Sequence, residues 1–180
     1  MTYTQIVLLR GINVGGHKKI RMKDLVLQLK NEGLTDVQTY IQSGNLVVRS
    51  KVSCPTTLSE QIAICIRQHF SMEVDVIART LTEFRRAMEE NPFLSNPDID
   101  PAKIYVTFLK HIPTPDVIQA LTAIHFPPDE FVWKGGEIFV FCVNGYGRTK
   151  LENGLFERHL HIKATTRNLN TIQKLITLAT

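Results

Sequence analysis

One order of secondary-structure elements occurs twice along the chain. Hydrophobic periodicity in the first half predicts strands at 5–10, 37–42, 45–49 and 74–79 and helices near 22–32, 57–70 and 81–90. The second half has predicted strands at 103–109, 130–134, 137–142 and near 165–169, with helices near 115–123, 150–161 and 171–178. Each half therefore has the order βαββαβ followed by one further helix. A chain with this pattern is restricted to an α+β fold made of two similar parts.

A constant spacing supports this repeat. Short glycine turns between β-rich runs are predicted around Gly44 and Gly136, and 136 − 44 = 92. Capping boxes, in which Thr and Glu satisfy the first amides of a helix, are predicted to start at Thr57 and Thr149, and 149 − 57 = 92. A turn and a cap that share one spacing favour duplication over coincidence.

The order βαββαβ is that of the ferredoxin-like fold, a four-stranded antiparallel sheet with two helices on one face. We therefore expect duplicated ferredoxin-like subdomains at 1–91 and 102–180, each with an additional helix. Thr80 and Asn170 are the predicted caps of these additional helices. A proline-containing linker is expected at 92–101, because Asn-Pro pairs and prolines end helices.

The segment 10–21, RGINVGGHKKIR, distinguishes the first half from the second. Aligning the first strands of the two halves gives an offset of 100, so the first half has 100 − 92 = 8 extra residues, at 13–20. Between Asn13 and Asp24 there is no Ser, Thr, Asp or Asn, whereas Thr57, Thr80, Thr114 and Thr149 are available to the other helices. The first amides of the helix near residue 22 must therefore use Asp24, water or a ligand.

Glycine amides, a helix N-terminus and basic side chains together favour an anion site. The first two strands of a βαββαβ unit run parallel, so the turn after the second strand is expected beside this loop. The candidate ligand-binding residues are Arg10, Gly11, Asn13, Gly15, Gly16, Lys18, Lys19, Arg21, Ser43, Asn45 and Arg167. The loop matches neither the P-loop nor the dinucleotide-binding pattern, and glycine and Ser-Gly-Asn are also ordinary turn chemistry. A purely structural connection remains an equal alternative.

Charge and cysteine content restrict the other function classes. The net charge is +4, but residues 1–30 contain six Lys/Arg against one Asp, a balance of +5. Three cysteines without a C-x-x-C pair predict reduced packing residues and no metal site. The N-terminal apolar run, residues 6–9, is much shorter than a signal-peptide core, which predicts a cytoplasmic location. No apolar run is long enough to span a membrane. No nucleophile has an evident base, so the catalytic residues are unknown and no cofactor is expected.

The sequence resembles a known bacterial family. The runs LLRGINVGGHKKIRMKDL and TYIQSGNLVV, the triplet at 91–93 and the late TTRNLNT resemble the family called domain of unknown function 1697. The resemblance extends over essentially the whole chain. It implies a cytosolic bacterial protein with a duplicated α+β fold, and it implies no particular reaction.

Three functional hypotheses follow from these observations. The leading one is a protein that binds an anionic ligand, a nucleotide or a nucleic acid, at the loop 10–21. The alternatives are an enzyme that acts on a phosphorylated small metabolite at the same edge of the sheet, and a protein-interaction module. The sequence does not determine whether the protein is an enzyme, nor its oligomeric state.

Overall fold

The computed structural model describes residues 1–16 and 18–180, and it has a mixed α+β fold. His17, inside the predicted loop 10–21, lies outside the described residues. The described part of the chain divides into two compact units. One contains Met1–Arg85 and Lys174–Thr180, and the other contains Arg86–Gln173. No described helix is both long enough and apolar enough to cross a bilayer.

The described residues of the first half form four strands and three helices. Their bounds are β1 Tyr3–Leu9, α1 Met22–Asn31, β2 Thr35–Tyr40, β3 Asn45–Ser50, α2 Pro55–Phe70, β4 Val76–Thr80 and α3 Leu81–Glu89. The strands form an antiparallel sheet in the order β2-β3-β1-β4. Strand β2 ends two residues earlier than predicted, because Ile41 has a left-handed backbone with φ 53° and begins the turn.

The core of this unit lies between the sheet and helices α1 and α2. Alternate residues of the strands point to the helices, which is the period of two that the sequence pattern predicts. Leu25 and Leu29 of α1 and Ile62 and Ile66 of α2 are fully or almost fully buried in the same cluster. The strands contribute Val7, Leu9, Leu46, Val48, Val76 and Ala78. This packing fixes the edge of the sheet at which the glycine-rich loop leaves β1.

The second half repeats this arrangement. Its elements are β5 Ile104–Leu109, α4 Pro115–Thr122, β6 Glu130–Lys134, β7 Glu137–Phe141, α5 Asn153–Leu160, β8 Ala164–Asn168 and α6 Leu169–Ala179. The antiparallel sheet has the order β6-β7-β5-β8. Its core includes Leu109, Ile138, Val140, Phe156 and Ala164.

Strand registers give the spacing between the two halves directly. Leu8 pairs with Asn45 in the first sheet, and Phe108 pairs with Glu137 in the second. The offsets are therefore 108 − 8 = 100 for the first strands and 137 − 45 = 92 for the third strands. The first half has eight more residues between these positions, which agrees with the length of the predicted insertion.

Helix caps differ in part from the sequence predictions. The Thr80 box is confirmed, because the Thr80 amide donates to Glu83 Oε2 at 2.7 Å and the Glu83 amide donates to Thr80 Oγ1 at 3.2 Å. The prediction at Thr57 is wrong: α2 starts at Pro55, whose fixed φ suits the first helical position, so Thr57 lies inside the helix. Thr114 occupies the N-cap of α4 but makes no side-chain cap hydrogen bond.

Two predicted caps in the second half are also wrong. Thr149 precedes α5 by four residues, and its hydroxyl donates to Asp129 Oδ2 and accepts from the Leu151 amide. Asn168, not Asn170, caps α6 by accepting from the Thr171 amide at 2.8 Å. The spacing of 92 is therefore supported by the strand registers, and neither capping box of the predicted pair at Thr57 and Thr149 is present.

The unit boundaries differ from the predicted 1–91, 92–101 and 102–180. The first boundary falls inside α3, and the last seven residues of the chain group with the first unit. The predicted linker contains two short 3-10 helices, Pro92–Ser95 and Pro101–Lys103. Phe93 in this segment is buried, with its ring 5.9 Å from that of Phe141. The segment is therefore part of the second unit and packs within it.

Candidate functional site

The glycine-rich loop is held in shape by the side chain of Asn13. Asn13 Nδ2 donates to the carbonyls of Ile20 at 2.9 Å and Gln42 at 2.8 Å, while Oδ1 accepts from the Ile20 amide at 2.9 Å. The Asn13 amide also bonds the Lys18 carbonyl at 3.2 Å. Asn13 has φ 54°, a left-handed conformation that asparagine tolerates. Its bonds close the loop and connect it to the β2–β3 turn.

The turn between β2 and β3 lies against the base of this loop. The Leu9 amide donates to the Gly44 carbonyl at 2.7 Å. A Cβ added to Gly44 would come within 2.7 Å of Leu9 Cβ and 3.0 Å of Ile12 Cγ1, and Gly44 has φ 78°. Only glycine fits there without strain. The predicted neighbourhood of the loop and the 43–45 turn is therefore present.

The side chains of Asn45 and Ser43 form hydrogen bonds within this turn. Asn45 is fully buried, and its Nδ2 donates to the Tyr40 carbonyl and to Ser43 Oγ, both at 3.1 Å. In the described structure these atoms stabilise the turn and leave the Asn45 amide group without access to solvent. Asn13 and Asn45 therefore stabilise the loop and the turn beside the candidate site.

Basic side chains lie on the outside of the loop. Lys18, Lys19 and Arg21 are exposed, and Lys18 Nζ donates to the Glu73 carbonyl at 2.5 Å. Gly11, Gly15 and Gly16 are also exposed, with φ between 61° and 79°. Arg10 is half-buried, and its amide donates to the Asp75 carbonyl at 2.9 Å. The loop thus presents several positive charges to solvent.

Helix α1 begins directly after these basic residues. Arg21 is its N-cap and makes no side-chain cap hydrogen bond. The amides of Asp24 and Leu25 bond the Arg21 carbonyl, so the amides of Met22 and Lys23 precede the first helical bonds. The exposed Asp24 lies in the first turn but does not cap the helix. The uncapped start predicted from the sequence agrees with this geometry, two residues beyond the inserted segment.

A groove of about 560 Å³ opens at this helix start. Its described lining combines the basic side chains of Arg21 and Lys23 with two apolar residues and two uncharged polar ones. The remaining lining residues are Met22, Val26, Thr39 and Gln42. Thr39 and Gln42 come from the end of β2 and the following turn, so the groove lies between α1 and the edge of the first sheet.

Arg167 belongs to the second unit, whereas the glycine-rich loop belongs to the first. Its guanidinium donates to Thr165 Oγ1 at 2.7 Å and to the Thr166 carbonyl at 2.8 Å. Burial lowers the pKa of Arg167 to about 10. The same position in the first sheet is Arg79, which donates to the Ala78 carbonyl at 3.0 Å. Both arginines bind the backbone of their own edge strand.

The three cysteines have different environments. Cys65 and Cys142 are buried in the two cores as predicted, but Cys54 is exposed and precedes α2. Hydrogen bonds from Thr57 and Thr56 lower the pKa of the Cys54 thiol. Burial raises the pKa of Cys142 to about 11 and also raises that of Cys65.

Five of the six described lining residues of the groove were not among the residues predicted from the sequence, and three of them, Lys23, Thr39 and Gln42, are polar or charged. Lys23 follows the basic run by one residue, and its place in the first turn of α1 was the available signal. Thr39 and Gln42 gave no signal, because their contribution depends on how β2 lies against α1 in three dimensions. Sequence reasoning placed the candidate residues mainly in the loop that precedes this groove.

Comparisons with known proteins show the relationship of the chain. No curated protein matches it. A solved structure described as conserved bacterial protein SP0830 from Streptococcus pneumoniae is similar, with 25% sequence identity, a TM-score of 0.78 and complete coverage of both chains. A family model described as protein of unknown function matches residues 1–139, which include the loop, the groove and most of both sheets. The chain belongs to the DUF1697 family.

Proposed function

We propose that the protein binds a phosphate-bearing ligand in the groove at the start of α1. The observation that carries this proposal is the meeting of an uncapped helix N-terminus with Arg21 and Lys23 on the wall of one groove. Free amides at the positive end of a helix attract anions, and the neighbouring cations strengthen that attraction.

The groove also has room for more than a phosphate. Its volume of about 560 Å³ lies in the range of small-molecule sites. Met22 and Val26 offer apolar surface to a base or sugar, while Thr39 and Gln42 offer hydrogen-bonding groups. This mixture favours a nucleotide or a nucleotide unit of a nucleic acid over inorganic phosphate alone.

Long-range electrostatic attraction also favours the approach of an anion to the groove. Lys18 and Lys19 are exposed just before the helix, and residues 1–30 carry a balance of +5. Asp24 contributes one negative charge in the first turn of α1 and so offsets part of this positive charge. The surplus of positive charge would raise the rate of encounter with an anion, and this effect falls as salt increases.

Binding is favoured over catalysis at this edge. Among the described residues that line the groove there is no carboxylate, imidazole or thiol that could act as a general base. The enzyme and interaction-module hypotheses therefore rank below a binding function. We further infer that the two halves are duplicated ferredoxin-like subdomains, since both sheets have the same strand order.

We also propose that the protein is located in the cytoplasm of a bacterium. An exposed, unpaired thiol at Cys54 suits a reducing compartment. The similar protein from Streptococcus pneumoniae is described as bacterial, which supports a bacterial setting for this chain as well.

A titration with ligands and paired charge variants tests the binding function. Inorganic phosphate, nucleoside mono- and triphosphates and a short single-stranded oligonucleotide are titrated by calorimetry at two salt concentrations. We expect Arg21→Glu/Lys23→Glu to abolish binding with little loss of stability, because exposed charges usually change stability by less than about 0.5 kcal/mol. Affinity in the unmodified protein should decrease with salt.

The matched control carries the same change of net charge elsewhere on the first unit. Lys30→Glu/Lys51→Glu alters two exposed lysines that do not line the groove. This variant should retain at least most of the affinity. Equal loss of affinity in both double variants would show that binding depends on net charge alone and would contradict a site in the groove. If none of the probes binds to the unmodified protein, the proposal is rejected.

A further inference from the structure

A second group of chemically active side chains lies outside the groove, at the C-terminal ends of α1 and α2. Glu32, Cys65 and His69 each offer one metal-binding atom, and these atoms all lie within 4.8 Å of one another. Cys65 and His69 are four residues apart on α2, so they share one face of the helix. Glu32 follows α1 as its C-cap and comes from a different element.

Part of this group already has the spacing of a metal site. His69 Nε2 lies 3.6 Å from Glu32 Oε1. Two ligands about 2.0 Å from a tetrahedral zinc ion would be roughly 3.3 Å apart. Small side-chain rotations of the half-exposed His69 and Glu32 would bring both within reach of a metal ion beside the Cys65 sulfur, without moving either helix.

The electrostatic setting favours a cation. Glu32 caps the C-terminus of α1 and His69 lies in the last turn of α2, so two helix ends with partial negative charge meet here. A carboxylate at a helix C-terminus is unfavourable by itself. A divalent ion would compensate both helix ends and the carboxylate together.

The ligand types select the class of metal. Thiolate, imidazole and carboxylate are the set that binds zinc, whereas magnesium and calcium require oxygen ligands. Three protein ligands leave a fourth tetrahedral position for water or another molecule. The sequence contained a signal in the C-x-x-x-H spacing of α2, but the third ligand becomes visible only in the folded unit.

We propose that Glu32, Cys65 and His69 form a binding site for Zn²⁺ or a closely similar divalent transition metal. Binding would link the end of α1 to the end of α2. The Cys65 proton is released to solvent when the sulfur–metal bond forms, so no oxidant or reductant is involved.

Metal titration of the full chain tests this site. The protein is stripped with a chelator, kept reduced and titrated with Co²⁺, whose bond to a thiolate gives a near-ultraviolet charge-transfer band. We expect one ion per chain, displacement by Zn²⁺ and no displacement by Mg²⁺. His69→Ala and Glu32→Gln should weaken Zn²⁺ binding at least as much as the ~10–100-fold loss that follows removal of an outer-shell partner.

The cysteine variants separate this site from adventitious thiol binding. Cys65→Ser should abolish the charge-transfer band, while Cys54→Ser, which removes the exposed thiol, should leave both band and affinity unchanged. Circular dichroism checks that Cys65→Ser is folded, and the exposed His69 variant remains informative if it is not. A band that survives Cys65→Ser, a band lost in Cys54→Ser, or no saturable binding of Co²⁺ or Zn²⁺ would overturn the proposal.

Discussion

Asn13 Nδ2 donates a hydrogen bond of 2.8 Å to the carbonyl oxygen of Gln42, which connects the glycine-rich loop to the turn after β2. The same side chain binds both polar groups of the Ile20 backbone. Gln42 itself lines the groove at the start of α1. The shape of the groove therefore depends on a side chain that does not line it.

Replacing Asn13 should loosen the loop. Asn13→Ala removes three hydrogen bonds between the side chain and the backbone, each worth about 0.5–1.5 kcal/mol, and adds strain of about 1 kcal/mol at a left-handed position. We expect the free energy of unfolding to fall by about 2.5–5.5 kcal/mol in urea titrations. Asn13→Gly removes the bonds without the strain and should cost less. Equal, near-zero effects in both variants would contradict the role assigned to Asn13.

Gly44 should be intolerant of any side chain. Gly44→Ala places a Cβ 2.7 Å from Leu9 Cβ in a backbone with φ 78°, so both overlap and strain destabilise it. We expect a loss of about 2–4 kcal/mol from these two effects. Gly33→Ala is the control, because Gly33 has φ 88° but nothing within 4 Å of its added Cβ. Thermal unfolding that ranks the two variants equally would exclude the close contact.

Much of this fold follows from the sequence because its signals are local. Alternating strands, amphipathic helices and the Thr80–Glu83 box are determined by residues within a few positions of each other. The start of α5 was predicted too early because Thr149 bonds Asp129, which is twenty residues away in sequence. The groove and the Glu32–His69 contact likewise join residues from separate elements, and no local pattern reports such pairs.

Deprotonation of the Cys142 thiol should lower the stability of the folded protein in alkaline solution. Its pKa is raised from 9.0 to about 11 by burial, so between these values the folded state holds a proton that the unfolded state has lost. The stability that the protonated Cys142 thiol contributes is complete below pH 9 and is lost as pH rises towards 11. By linkage, about 1 kcal/mol of this stability should have been lost at roughly pH 10, compared with roughly pH 8, where the contribution is still complete.

Cys142→Ala tests this pH dependence. The variant should be less stable at neutral pH because it loses a buried sulfur, but its stability should fall less steeply with pH. Urea unfolding under reducing conditions at both pH values gives the difference of slopes. Parallel pH profiles in the two proteins would show that the thiol stays protonated equally in the folded and unfolded states.

The anion site at the start of α1 is tested most directly by following backbone amides during a phosphate titration. In ¹H–¹⁵N NMR spectra, the Met22 and Lys23 amides should shift in a saturable way as they gain an acceptor. The Asn153 and Gly154 amides provide an internal control, because they begin α5 beside the carboxylate of Glu152. Saturable shifts confined to the α1 start, and absent in Arg21→Glu/Lys23→Glu, are the predicted result. Unmoved Met22 and Lys23 amides, or equal shifts at both helix starts, would contradict the site.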